Sequence, residues 1–491
     1  MLRIGRWAVV AVWVGLLLAL ARSQWPQGGH APLAQSAPAG PIAGDDAWMG
    51  VYMRGQKIGY SHSHVTPQTD GYRFEEDSYL RLTVLEQEQT VRIVTDATTT
   101  PDFVLRAFTI KLDSGLGVLD VRGTVANDTL TLHMGAGADL TDQQIPLAEP
   151  IYLPSSARAH LHGDLLAPGR TVMLRVFDPS AMQHQPLEMR VLGKAPLTTD
   201  AVTIDAWKVR ETFRGTETTV WLDDSGRTLR EEGPMEMVVQ REDATRAVNV
   251  GWADDAFDLM NAIAVKVRNP IADPRHLARL DARLGGLGDV VVPTDGRQSF
   301  HDGVLHVERE AAAAATYVLP YDGSEWRDEL AATVFLQVDH PRLRETAKQI
   351  VGGEGDPRRA AELLRRWVYD NLEKRPLPSL PNALQVLETR AGDCNEHAVL
   401  FAALARAAGL PARVNAGVVY GDDAFLYHAW NEVWIGSGWL SVDAAFDQMP
   451  ADATHVKLIE GGPEQHAGLV GVIGKLSIDV LPPEPDADTA S

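Results

Sequence analysis

Hydrophobic and polar residues alternate with period two through much of the first half of this chain. Thr90-Val91-Arg92-Ile93-Val94, Val118-Leu119-Asp120-Val121, Thr129-Leu130-Thr131-Leu132 and Val172-Met173-Leu174-Arg175-Val176 all carry the pattern. It sets one face of a strand against a core and the other toward water. Trp48 to Met53 and Lys57 to Tyr60 flank Arg54-Gly55-Gln56, a hairpin signal. Trp207 to Leu222 and Met235 to Val239 continue the theme. Residues 46–254 are therefore expected to form a mostly antiparallel β domain, and no fixed repeat period runs through them.

The period changes further along. Between 255 and 325 the pattern is mixed, consistent with a small α+β subdomain or an extension of the β domain. Ala262-Ile263-Ala264-Val265-Lys266-Val267 reads as a strand. Asp273-Pro274 predicts a helix start, with Leu277, Leu280 and Leu284 on one face and a stop at Gly285. Val290 to Val292 and Val304 to Val307 read as strands. From about 326 the helical period takes over. Pro341 opens a helix that ends at Gly352-Gly353, and Asp356-Pro357 opens another with Leu363, Leu364, Trp367, Val368 and Leu372 on one face. Pro376, Pro378 and Pro381 break it. A further helix begins at Cys394 and closes at Gly409, and strands follow over 412–420, 427–435 and 439–443. The expectation is a multidomain α+β protein with a C-terminal domain over 326–475 and a disordered tail over 476–491.

Composition narrows the class of partner. The chain has 491 residues, 45% of them hydrophobic and 23% charged, an ordinary globular balance. Lys plus Arg is 45 and Asp plus Glu is 66, a formal net charge of −21. That surface repels phosphate backbones, so no nucleic acid is expected as a partner. Arg3 and Arg6 precede an uncharged apolar run from Trp7 to Ala21, which ends in Ala19-Leu20-Ala21. This is the form of a signal peptide, or of an N-terminal membrane anchor if Arg22 blocks cleavage. Residues 22–45, rich in Ala, Pro, Gly and Gln, read as a flexible linker. The expected location is extracytoplasmic, periplasmic or secreted, or tethered by that first segment. The sequence carries no signal of oligomeric state.

The one cysteine, Cys394, cannot form an internal disulfide. In an oxidising compartment it is either reactive or buried and inert. It sits in Gly392-Asp393-Cys394-Asn395-Glu396-His397-Ala398, where Asp393 and Glu396 approximate a capping box. With Asp393 as N-cap, Cys394 becomes the first helical residue. Its thiolate then faces the positive end of the helix dipole and backbone N–H groups that could also hold an oxyanion. His428 can take the thiol proton and return it to a leaving amine, and Asp443 can orient the imidazole. A tight turn near Ser437 would leave Asp443 out of register with His428, so either the hairpin between them is longer or bulged, or the two side chains do not meet.

These residues resemble the transglutaminase-like superfamily, which is papain-like in fold. The likeness runs from about 356 to 458. It rests on the Gly392–Ala398 segment, on Ala408-Gly409-Leu410-Pro411-Ala412-Arg413-Val414, on Tyr427-His428-Ala429-Trp430-Asn431-Glu432-Val433 and on Trp439 to Asp443. The resemblance implies Cys394 as nucleophile, His428 as general base and Asp443 as its orienter. It implies a thioester route for an amide in a peptide, protein or wall polymer, ending in hydrolysis or acyl transfer. Many members place Pro-Thr after the Asp, whereas this chain has Ala444-Ala445. Asn395 stands where animal crosslinking enzymes carry Trp, which argues against protein crosslinking as the specific activity.

Other residues carry plainer readings. His397 lies three positions from Cys394 and is read as packing or a structural hydrogen bond, Glu396 as a cap, and Trp430, Trp434 and Trp439 as core or cleft wall. His62 and His64 would share a strand face, but no third ligand accompanies them. No H-E-x-x-H, G-x-S-x-G or phosphate loop occurs, so neither cofactor nor metal is expected. A reading from another class is a catalytically silent transglutaminase-like module that binds envelope polymer, with the β domain as its working interface.

Overall fold

The computed structural model describes residues 42–84, 87–114, 118–136, 139–178, 183–199, 202–249, 263–288, 290–311, 313–375 and 382–482. The segment expected to be a signal peptide or anchor and most of the expected linker lie outside them, as do residues 483–491. The described residues divide into two compact units, one running to Asn249 and the other starting at Ile263.

The first unit is one antiparallel sheet of fourteen strands among the described residues. Its spatial order runs from Asp139–Pro146 back through each preceding hairpin to Asp45–Met53. It then steps to Met237–Glu242 and returns hairpin by hairpin to Thr171–Asp178. The first and last of these strands along the chain pair at the centre, with Val51 opposite Val239. The expected alternation is present: Ala47, Met49, Val51 and Met53 are buried on one strand, and Val172, Leu174 and Val176 on another. The Arg54-Gly55 turn joins Met53 to Gln56 directly, with φ of 48° and 77°. Two positive φ values match the right-handed twist of the strands on either side.

The segment after the eighth strand bends this sheet. Leu105 N donates to Ile151 O at 2.9 Å, and Tyr152 N donates to Arg175 O at 2.8 Å. The rings of Phe108 and Phe177 come within 5.1 Å. The edge strand Thr171–Asp178 is thereby drawn toward Leu105–Asp113, and the sheet curls over one face. The β domain and its antiparallel topology are as the alternation predicted.

The segment 263–309 belongs to the second unit and forms neither a separate subdomain nor an extension of the first sheet. Val265–Lys266 is a strand on the edge of the second unit's main sheet. The helix expected from Asp273-Pro274 is absent. Pro274–His276 makes one 3-10 turn and Arg279–Gly285 is a strand. Leu280, Ala282 and Leu284 are buried, so the apolar residues obey period two. Val290 to Val292 lie outside any ladder, while Val304–Glu308 is a strand. Ser477–Val480, placed in the expected tail, pairs with Ala282 to Gly285 as an edge strand.

The main sheet of the second unit has the order Val265–Lys266, Ala424–Trp434, Ala412–Gly421, Val456–Glu460, with Trp439–Val442 also on Ala424–Trp434. Helices Pro341–Val351, Pro357–Asn371 and Ala383–Thr389 surround a central helix, Cys394–Ala407. Asp356 caps the second of these through Arg358 N and Arg359 N. Every residue of the central helix from Cys394 to Ala405 is buried. It packs Leu400, Phe401 and Leu404 among Leu343, Leu364 and Val433. Full burial of such side chains stabilises by about 1.5–3 kcal/mol each.

Candidate active site

The local sequence fixes the start of the central helix. Asp393 is the N-cap. Its carboxylate accepts from Asn395 N at 2.7 Å and from the Glu396 backbone, and its own N–H donates to Glu396 Oε2 at 2.9 Å. The capping box read from Asp393 and Glu396 is therefore formed. Gly392 is needed just before it, because a Cβ there would lie 2.2 Å from Glu396 Cβ. Cys394 is the first helical residue and is fully buried. The cap consumes the N–H groups of Asn395 and Glu396, so these two do not face an oxyanion as expected.

His428 lies in the Ala424–Trp434 strand. That strand is tied to the thiol helix by Asn431, whose Nδ2 donates to Ala398 O at 3.0 Å and to Arg413 O at 3.3 Å. Cys394 and Ala429 belong to one buried apolar cluster. His428 Nε2 lies 2.7 Å from Asp443 Oδ2. The hairpin that joins them is tight, contrary to expectation: Trp434 pairs with Trp439, and Ile435 N donates to Gly438 O. Asn431 opposes Val442, so Asp443 falls opposite Trp430, two residues from His428 on the same strand face. A diagonal neighbour at that offset is within reach of long side chains, and no bulge is required.

Asp443 is buried and fully engaged. Oδ1 accepts from Ala445 N at 2.7 Å and Phe446 N at 2.9 Å, and Oδ2 accepts from both His428 and His455. The turn through Ala444-Ala445 supplies the two backbone donors. Burial alone would push this carboxyl up; the two imidazoles outweigh it and hold the group well below the ordinary carboxylate range. For His428, burial pulls the pKa down against the pull of Asp443. The imidazole is thus neutral near pH 7. Its Nε2–H is committed to an acceptor-only carboxylate, and Nδ1 is left as a lone pair with no hydrogen bond among the described residues.

The sequence reading missed His455. Its Nε2 is 3.0 Å from Asp443 Oδ2, and its Nδ1 is 3.2 Å from Asp452 Oδ1. A ring facing carboxylates at both nitrogens must donate from both, so it is an imidazolium. Burial works against that charge, but the Asp452 and Asp443 carboxylates outweigh it and raise the pKa. Arg275 closes the array, 2.8 Å from Asp452 and 4.6 Å from the Phe446 ring centre. Phe446 stacks on His428 at 4.7 Å. The only sequence cue was the short Asp452-x-x-His455 spacing before a strand. His397 donates from Nδ1 to Asp393 O at 2.6 Å, and burial lowers its pKa to about 4, which fits the structural reading.

Residues 344–444 match the transglutaminase-like superfamily model. The chain carries a transglutaminase-like domain. Residues 50–239 match a second family, described as a protein of unknown function, DUF3108. A protein-glutamine gamma-glutamyltransferase of Pseudomonas aeruginosa is 33% identical over 142 residues, 26% of this chain and 20% of that protein. The chain thus spans about a fifth of that relative's length. A candidate cysteine protease from Cytophaga hutchinsonii overlaps 44% of this chain and 82% of its own, at 18% identity and a TM-score of 0.29. A β-barrel-like DUF1849 protein from Brucella abortus overlaps 42% of this chain and all of its own, at 11% identity and a TM-score of 0.33.

Within the transglutaminase-like domain the tryptophans separate by role. Trp430 packs beside His428 and His455, whereas Trp434 and Trp439 cluster with Trp326 at the far end of that strand. Among the described residues, two groups of three side chains come close enough to hold a metal ion, His428/Asp443/His455 and Asp295/Glu432/Glu460. The second is occupied by Lys457, within 2.8–3.2 Å of all three carboxylates, and by Arg413. The first is accounted for by the hydrogen bonds just described. In the first unit His62 and His64 both face Asp46, at 2.6 and 3.7 Å.

Proposed function

We propose that this chain is an exported thiol enzyme that hydrolyses an amide, or transfers its acyl group, through a thioester on Cys394. The observation that carries this reading is the buried 2.7 Å contact between His428 Nε2 and Asp443, on a strand bound to the helix that Cys394 opens. It leaves Nδ1 as the base. His428 takes the thiol proton as sulfur attacks the carbonyl carbon, and the C–N bond breaks as His428 returns that proton to the departing amine. Water then attacks the thioester to give an acid, or a second amine attacks to give a new amide, and the thiol is regenerated. The Pseudomonas relative's name denotes acyl transfer from glutamine; hydrolysis is favoured here because water is always at hand. A peptide, protein or wall-polymer amide is the substrate class. The test is ammonia release from glutamine peptides, with and without an added amine. Cys394→Ala and His428→Ala should each lower kcat/KM by at least about a thousandfold; unchanged turnover in either ends the proposal.

The complete burial of both Cys394 and His428 favours a second reading, a silent module that binds polymer without chemistry. Alkylation of Cys394 in the folded chain separates the two. An active thiol reacts with a midpoint below the free value of about 8.5; a silent one reacts at or above it, or only on unfolding.

A further inference from the structure

The curled sheet of the first unit encloses a cavity of about 490 Å³. That lies inside the range of about 300–1,000 Å³ typical of small-molecule sites. Its walls are apolar, with Met49, Val51, Leu80, Ile93, Leu112 and Val121 contributing from five strands of the sheet. One end is polar. Glu76 opens onto it beside Ser61, Ser78, Arg158 and Glu231.

Charge at that end is unbalanced. Arg158 is already held by two carboxylates, with Nε 2.7 Å from Glu211 Oε1 and Nη2 3.0 Å from Glu231 Oε2. Glu76 has no cationic partner among the described residues. Only the hydroxyls of Ser61 and Ser78 reach it, each at 3.1 Å and both on Oε1. Glu76 is remote from bulk water, and burial pushes its carboxyl up, yet part of its surface stays accessible because it faces the cavity. Glu211 and Glu231 thus take up the one guanidinium, and Oε2 of Glu76 is an acceptor without a donor among the described residues at the end of an apolar chamber. A hydrogen-bonding cation is what such an end lacks.

We infer that this cavity is a binding site for a small amphiphile, its alkyl body along the apolar walls and a primary ammonium head on Glu76. The probe is n-octylammonium, with n-octanol and n-octanoate as the neutral and anionic counterparts, titrated calorimetrically into the full chain. Octylammonium should bind once per chain and more tightly than either counterpart. Glu76→Gln keeps the shape and removes the charge. It should weaken octylammonium roughly ten- to a hundredfold and leave octanol within about twofold. Leu112→Trp, which fills the chamber, should abolish binding of all three. Octanoate binding as tightly as octylammonium, an unchanged affinity in Glu76→Gln, binding that survives Leu112→Trp, or no binding of octylammonium to the wild-type chain would each overturn the assignment. None of these readouts involves Cys394.

Discussion

His455 sets the electrostatics of its neighbours. It places a buried positive charge against Asp443, and that charge is one of the influences lowering the His428 pKa. Replacing it with a neutral donor, His455→Gln, removes the repulsion felt by a protonated His428. The His428 pKa should therefore rise, and the acid limb of any kcat/KM profile should move to higher pH with it. NMR titration of the His428 ring checks this without substrate, and a fall in the pKa would refute it. Stability responds with a defined sign. The folded pKa of His455 is raised, so its contribution is complete below the ordinary value of about 6.5 and is lost as pH rises through the folded value. His455→Gln should cost about 3 kcal/mol in mildly acidic solution and progressively less in alkali, as read by urea unfolding. Cys394, His428 and Asp443 stand out in the sequence as candidates because each sits in a local motif, and the structure joins His428 to Asp443. His455, Asp452 and Arg275 do not stand out, because only the packed array reveals that their charges meet.

At the scale of elements, the strand that begins just after His455 must approach Ala412–Gly421 closely. Gly417 allows this, since a Cβ there would stand 1.9 Å from Val456 O. The register also shifts between Ala416 and Gly417. Gly417→Ala should push Val456–Glu460 outward and cost about 1–3 kcal/mol. His455 would move with the strand, so the His428 pKa should shift in the same direction as in His455→Gln and by less; an unchanged ring titration would show that the strand is not displaced. Long elements with a single period were readable: the Cys394 helix and its cap, the Asp356-capped helix and the hairpins of the first unit. The failures were short ones. Leu277, Leu280 and Leu284 fit a helical face, but Leu280 and Leu284 fit a strand equally well. The choice was made by Val304–Glu308 and Ser477–Val480, which flank Arg279–Gly285 from far along the chain. The His428–Asp443 contact escapes a count of directly opposed residues for a related reason: it is diagonal, with Asp443 opposite Trp430.

At the scale of the molecule, each unit has its own core, and the first also has a buried ionic centre that no sequence pattern announced. Arg158 comes from a five-residue helix, Glu211 and Glu231 from two different strands. Such a centre is costly to break from one side, because the remaining charges stay buried without a partner. Arg158→Met preserves volume and leaves both carboxylates unpaired, so unfolding of this unit should weaken by about 3–5 kcal/mol. Burial already pushes the Glu211 carboxyl up, and Arg158 opposes that push. Without the guanidinium the folded pKa rises further above the unfolded value. A group shifted that way favours the folded state below its unfolded pKa and ceases to do so as pH rises through the folded value. The penalty of Arg158→Met should therefore be small at about pH 5 and large at about pH 8. Adding Glu211→Leu and Glu231→Leu should recover most of it and remove the pH dependence, since a packed apolar trio is no less stable than a buried ion cluster. A penalty equal at both pH values, or one the triple variant fails to relieve, would mean that Arg158 acts through packing alone.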